Sequence, residues 1–192
     1  MHPIICFWIS FAVLLVLFIW LDLKYQLLRD ASTALPRPYS YARVQLAWWT
    51  LVILSSVITI LFTKGEMPTL DNSTLILLGI ASGTTVVARL IDMADRNNAD
   101  TVLLSQDFSG ENFLLDILSD KTGVSIHRLQ SVIINIIFGV WFVVMVLRHL
   151  SGTSACPLDD IIPVISTNNL ILLGISSGTY AALKTTENKT IV

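Results

Sequence analysis

Charge is scarce in this chain. Asp, Glu, Lys and Arg make up 14% of its 192 residues, against about 25% in an ordinary soluble domain. The formal net charge of −2 is too small to single out nucleic acid or an acidic surface as a partner. Cysteine is nearly absent: Cys6 and Cys156 provide neither metal-ligand spacing nor a disulfide framework. Both read as reduced thiols that behave as small buried hydrophobes. The three histidines, His2, His127 and His149, fall at helix ends or in loops and build no metal cluster. No glycine-rich loop follows a strand, so no cofactor is expected. A secretory leader is missing its parts as well. The apolar run from Ile4 to Trp20 has only His2 before it, and Asp22 and Lys24 after it in place of a small-x-small site. It reads as a retained anchor helix.

What the chain has is hydrocarbon. Hydrophobic residues make up 54% and mean hydropathy is +0.72, the composition of a polytopic membrane protein. Five apolar segments reach the length of about 17–25 residues that a spanning helix needs: Ile4–Leu21, Val44–Phe62, Ser73–Ile91, Leu129–Leu147 and Ser166–Leu183. Thr167, Asn168 and Asn169 dilute the fifth. Basic residues orient the set. Lys24, Arg29, Arg37, Arg43, Arg96, Lys121, Arg128, Lys184 and Lys189 fall on one side, and only Lys64 and Arg148 on the other. The expected topology starts outside and ends in the cytoplasm.

A duplication organises four of the five segments. Leu75–Thr84 returns as Leu170–Thr179 with one change, Ala81 to Ser176. Each copy carries a Gly-x-x-x-Gly step, Gly79/Gly83 and Gly174/Gly178, which suits close packing of membrane helices. Ser40, Arg43 and Gln45 match Ser125, Arg128 and Gln130 at an offset of 85, and Arg89 and Asp92 match Lys184 and Glu187 at 95. The extra ten residues of the second copy are placed in its outer loop, near Ser151–Pro163. The reading is therefore an all-α membrane protein with five transmembrane helices. Residues 1–39 form an anchor and linker, 40–92 the first helical hairpin, 93–124 a cytoplasmic loop, and 125–192 the second hairpin and tail. The two hairpins run parallel, as in parallel transporter repeats.

Each repeated serine sits where an N-cap is expected, accepting a hydrogen bond from an orphan backbone N–H. Arg43 and Arg128 lie in the first turn, where the helix dipole disfavours a cation. They are expected either to reach headgroups or to pair with a carboxylate such as Asp92, Asp116 or Glu187. Gln45 and Gln130 lie two positions on, about 200° around the helix. Each is expected to face the bundle and bond the other repeat near its Ser-Gly-Thr step. In the cytoplasmic loop, Asp95–Asp100 reads as polar coil. Glu111–Leu118 reads as a short amphipathic helix, with Phe113, Leu114, Ile117 and Leu118 on one face and Glu111, Asp116 and Asp120 near the other. Its acidic face disfavours anionic lipid, so the apolar face is expected to dock on the bundle or on a protein partner.

Little here suggests catalysis. Gly174-Ile175-Ser176-Ser177-Gly178 fits the nucleophile-elbow pattern, but that motif needs a strand-to-helix turn. Here it lies in an apolar helix whose other copy has Ala81 at the serine position. Asn135 reads as interhelical glue.

Taken together, Ser40–Trp49 (Ser-x-x-Arg-x-Gln-x-x-Trp-Trp), Leu75–Thr84, Phe113–Gln130 and Leu173–Lys184 resemble a widespread family of small bacterial multipass inner-membrane proteins. The resemblance covers about 150 residues. It implies a bacterial inner-membrane location and carries over no catalytic residue. Two functional readings follow. The first is a non-enzymatic, homo-oligomeric membrane scaffold or effector coupled to a cytosolic protein partner, in envelope biology or antiphage defence by analogy. The second is an oligomeric channel or small transporter, with Asn135, Asn168 and Arg89 as lining groups. No direct binding of nucleic acid is expected in either.

Overall fold

The computed structural model describes residues 2–32, 34–97, 109–110, 112–120, 123–152 and 157–187. Cys156, Glu111, Lys121, Lys189 and the stretch 98–108 lie outside the described residues, as does the Glu187 side chain. The chain is helical. Its elements are α1 Pro3–Tyr25, α2 Tyr41–Lys64, α3 Asn72–Arg96, α4 Phe113–Leu118, α5 Ile126–Ser151 and α6 Thr167–Glu187. Between α4 and α5 a two-residue antiparallel ladder joins β1 Ser119–Asp120 to β2 Gly123–Val124. Among the described residues four helices, α1, α2, α3 and α5, are long and apolar enough to cross a membrane. The fifth expected span forms as α6 but is not among these four, because Thr167, Asn168, Asn169 and the Ser-Ser-Gly-Thr step lower its hydropathy. Helix α3 also runs on to Arg96, so Asp95 and Arg96 are helical rather than coil.

Capping departs from expectation in an instructive way. Ser40 and Ser125 do occupy N-cap positions, but neither side chain bonds the helix N-terminus. Ser125 Oγ instead meets the His127 ring at 2.6 Å. At the start of α3 a side-chain cap does form: Asp71 accepts from Ser73 N at 2.7 Å. The Ser73 hydroxyl and amide hold the Asp71 carboxyl below its ordinary range. Ser73 Oγ also accepts from Ile165 N at 2.9 Å, tying the loop before α6 to the loop before α3. That stretch is more than an outer loop: Ile161, Ile162 and Ile165 are buried in the main core.

Helix α2 is the central element, in contact with α1, α3 and α5, while α6 packs on α3 and α5. The main core gathers Trp49, Val52 and Ile60 of α2, Leu77 and Ala81 of α3, Phe142 and Val146 of α5, and Leu173 of α6. Side-chain hydroxyls within α2 fold back on the helix. Thr50, Ser56, Thr59 and Thr63 each donate to the carbonyl four residues earlier, which satisfies them without a second helix. By contrast, α1 buries only Cys6, Phe7 and Asp22; Cys6 is a free, buried thiol.

The Gly-x-x-x-Gly steps do not close the helix pair within the chain. On α3 the inward face is Leu77, Ala81, Thr84 and Ala88. Gly79 lies about 200° around from Ala81. A Cβ added at Gly79, Gly83 or Gly178 would meet nothing within 4 Å, and one at Gly174 would only touch Ile80 at 3.8 Å. The glycine that permits close approach is Gly139 of α5, which has no counterpart in the repeated motif. A Cβ there would lie 2.5 Å from the Trp48 indole, a ring held by its Nε1 bond to the Asn135 carbonyl at 3.0 Å. Gly139→Ala is therefore expected to lower stability by about 1–3 kcal/mol through overpacking. Gly79→Ala and Gly178→Ala should be neutral or stabilising by up to about 1 kcal/mol from helix propensity. Thermal unfolding of the three variants in mild detergent checks the order.

Candidate functional site

The polar residues of the bundle fall into two groups, an interior hydrogen-bond network and a charged layer at the end where α2 and α5 begin. Asn135 centres the first. It is the tenth residue of α5, about 13 Å into the helix at 1.5 Å per residue. Its Oδ1 accepts from Trp49 Nε1 at 2.7 Å and from Gln45 Nε2 at 3.3 Å. Its Nδ2 donates to the Ser131 carbonyl at 2.8 Å and to Tyr41 Oη at 3.5 Å. Gln45 Nε2 also donates to Ser177 Oγ at 3.0 Å, which brings α6 into the network. The Ser131 and Ser176 hydroxyls bond each other. Ser176, the serine of the elbow pattern, is therefore a mid-helix residue in a helix-to-helix contact.

The two copies of the Ser-x-x-Arg-x-Gln opening are used differently. In the first copy Gln45 is buried and contacts Ser177 in the second unit's Ser-Gly-Thr step. Arg43 is partly exposed, and its Nη1 donates to the Leu27 carbonyl at 3.3 Å. In the second copy the roles reverse: Arg128 is buried and Gln130 is exposed. The inward reading of Gln130 and the headgroup reading of Arg128 are both corrected here. The cause is the turn after α4. The β1 strand brings the Ser119 carbonyl to the Arg128 guanidinium, which also lies 5.4 Å from the Tyr180 ring.

The charged layer is closed by Lys184 of α6, only 2% exposed, whose Nζ lies 3.0 Å from Asp92 Oδ1 of α3. Asp92, considered above as a partner for an arginine, is thus joined to the second unit's lysine. Lys184 shares a small polar cavity with Asp30, Tyr41, Asp116, Arg128 and Tyr180. Burying such a pair costs desolvation that its attraction only partly offsets. Its use lies in specifying how α3 sits on α6.

Over this layer lies a platform made by residues 26–40 and α4. Asp22 accepts from Leu28 N at 2.8 Å, and the Arg29 guanidinium stacks over Tyr39 at 4.4 Å. Tyr39 N donates to Asp116 Oδ2 at 3.1 Å, and Gly110 N to the Pro36 carbonyl at 2.8 Å. Helix α4 is capped by Asn112, which accepts from Leu115 N at 2.9 Å. The expected docking face is split. Ile117 is buried against Tyr41, Ala42, Ala88 and Tyr180, with Leu118 packed beside it, so these two belong to the core. Phe113 and Leu114 are 41% and 61% exposed. Asn168 is exposed on the first turn of α6.

No family model, curated protein or solved structure matches the chain.

The Lys184–Asp92 pair had a trace in the sequence, since Arg89/Asp92 and Lys184/Glu187 share a three-residue spacing. Two predictions follow from this geometry. Asn135→Leu should destabilise most, because it strands Trp49 Nε1 in the interior at about 1–3 kcal/mol and leaves Gln45 Nε2 with Ser177 alone. Gln45→Leu should cost less, since Gln45 Oε1 has no hydrogen bond, and Gln130→Leu should be silent. Melting curves in one detergent rank the three. Lys184→Met should cost about 1–3 kcal/mol by removing the charged contact that ties α6 to Asp92 of α3. Adding Asp92→Leu should return part of that loss, as read in a double-mutant cycle of thermal unfolding.

Proposed function

We propose that this chain is a non-enzymatic integral membrane scaffold or effector of the bacterial inner membrane, self-associating, that acts through a cytosolic protein partner. The observation that carries this reading is the Phe113–Leu114 pair. Two large apolar side chains stay largely exposed at the start of a capped helix, while Ile117, one turn further along the same face, is fixed in the bundle. A rigid apolar anchor of this kind is what a protein interface uses for its central contacts. Leu35, 81% exposed on the same platform, extends the surface. The basic residues gathered at this end support a cytoplasmic placement. The outward Gly79/Gly83 and Gly178 faces support self-association between copies. The resemblance to small multipass inner-membrane proteins supports the location, and envelope or antiphage defence is the setting that analogy suggests.

The channel reading has less to stand on. Asn135, one of the three lining groups it needs, is engaged with Gln45, Trp49 and Ser131 inside the bundle. The scaffold reading is tested by capture from a mild-detergent extract of a bacterial host. A soluble protein should be recovered with the unmodified chain and lost with Phe113→Ser plus Leu114→Ser. Leu114 is 61% exposed, so Leu114→Ser alone should keep the parent melting temperature and still weaken recovery, while Phe113→Ser also gives up the edge-on contact with Tyr39 at 5.1 Å. Equal recovery with the double variant would move the interface elsewhere, and no recovery at all would count against a protein partner.

A further inference from the structure

A second feature of the basic end is unrelated to Phe113 and Leu114. Between α2 and α3 lies an open cleft of about 380 Å³, at the small end of the range of about 300–1,000 Å³ typical of ligand sites. Helix α3 lines it with Thr85, Arg89, Asp92 and Arg96. These residues recur at the three- and four-residue steps that place them on one face of the helix. Ser40 and Arg43 of α2 form the opposite wall, and Asp30 contributes from the linker.

We infer that this cleft binds a phosphate group, using Arg43, Arg89 and Arg96 as its ligands. Three arginines line it with two carboxylates. One of these, Asp92, is already paired with Lys184, which does not line the cleft, so cations predominate in the space itself. Arg43 and Arg96 are held by one carbonyl contact each, to Leu27 and Ala31. That orients each guanidinium while leaving most of its N–H donors free. Arg89 makes no hydrogen bond or ion pair among the described residues. Planar guanidinium forks match the paired oxygens of a phosphate, which is why arginine serves that role better than lysine. The start of α2 adds to the attraction. No side chain caps it, so its N-terminal N–H groups and dipole favour an anion beside Ser40.

The phosphate can arrive on a lipid headgroup or as a free anion. The cleft lies at one end of helices long and apolar enough to cross a membrane, and exposed Val86, Leu90 and Met93 continue beside it. The inference is independent of any soluble partner.

The test uses the full chain purified in an uncharged detergent, with tryptophan fluorescence following thermal unfolding. Three ligands are titrated: dioctanoyl phosphatidic acid, inorganic phosphate, and dioctanoylglycerol, which has the same tails and no phosphate. Phosphatidic acid should raise the melting temperature and dioctanoylglycerol should not. A matching rise with inorganic phosphate identifies a free anion as sufficient, whereas a response to phosphatidic acid alone identifies a headgroup. Arg89→Gln should weaken the response about tenfold, the worth of one charge-assisted contact. Arg148→Gln, at the other end of the bundle, should leave it unchanged. Arg89 is exposed, so its variant should fold; Arg89→Lys, which keeps the charge but not the fork, should give an intermediate response. Equal stabilisation by dioctanoylglycerol would overturn the inference, as would an undiminished response in Arg89→Gln or no response to either phosphate.

Discussion

The hydrogen bonds that converge on Asn135 hold together the part of this protein that packing alone would leave undetermined. Between helices in lipid there is little hydrophobic drive, because hydrocarbon solvates a leucine as well as another leucine does. Apolar side chains can then fill the bundle in several registers at similar cost. A buried amide cannot. Asn135 reaches Gln45 and Trp49 in only one relative setting of α2 and α5, and the further bond from Gln45 to Ser177 fixes α6 against the same pair. Such bonds average only about 0.6 kcal/mol in membrane proteins. Their greater effect is on specificity, since any other register leaves polar atoms unpaired in a medium with nothing to offer them.

The second constraint acts at the end of the bundle. Lys184 and Asp92 do for α6 and α3 what Asn135 does for α5 and α2. Together the two links determine which side chains face out. Once Leu77, Ala81, Thr84 and Ala88 are turned inward, Gly79 and Gly83 must point away, and α3 presents a smooth strip to its surroundings. The same rotation sets Arg89 and Arg96 along the wall of the cleft beside α2. Interior bonds therefore determine the exterior surface, including the parts proposed to bind.

Much of the architecture was legible from the residues. Apolar runs and their punctuation locate the long helices, because both the length and the hydropathy of a helix are local properties. What sequence pattern does not carry is rotation about the helix axis. The Gly-x-x-x-Gly steps are a sound signal for a smooth surface, but they do not say which neighbour that surface meets. Gly139 carries no repeated motif, yet it is the glycine against which Trp48 packs. The loop before α6 misleads for a related reason. Ile161, Ile162 and Ile165 lie close to Pro157 and Pro163, a pattern that reads as a connection, yet they are drawn into the core through the Ile165–Ser73 bond.

The same logic explains why duplicated sequence need not mean duplicated function. Ser40-x-x-Arg43-x-Gln45 and Ser125-x-x-Arg128-x-Gln130 start two helices in the same way, yet their polar side chains face opposite ways. The first copy follows the 26–40 linker, and its arginine bonds Leu27 at the edge of the cleft. The second follows α4 and the β1–β2 turn, whose Ser119 carbonyl draws Arg128 inward over Tyr180. With Arg128 turned in, Gln130 is carried outward by helix geometry alone, since the two lie about 200° apart. A six-residue helix and a two-stranded turn thus separate the roles of two otherwise matching segments. One copy supplies Gln45 to the interior network and Arg43 to the cleft, and the other supplies a buried guanidinium beneath the platform that holds Phe113 and Leu114.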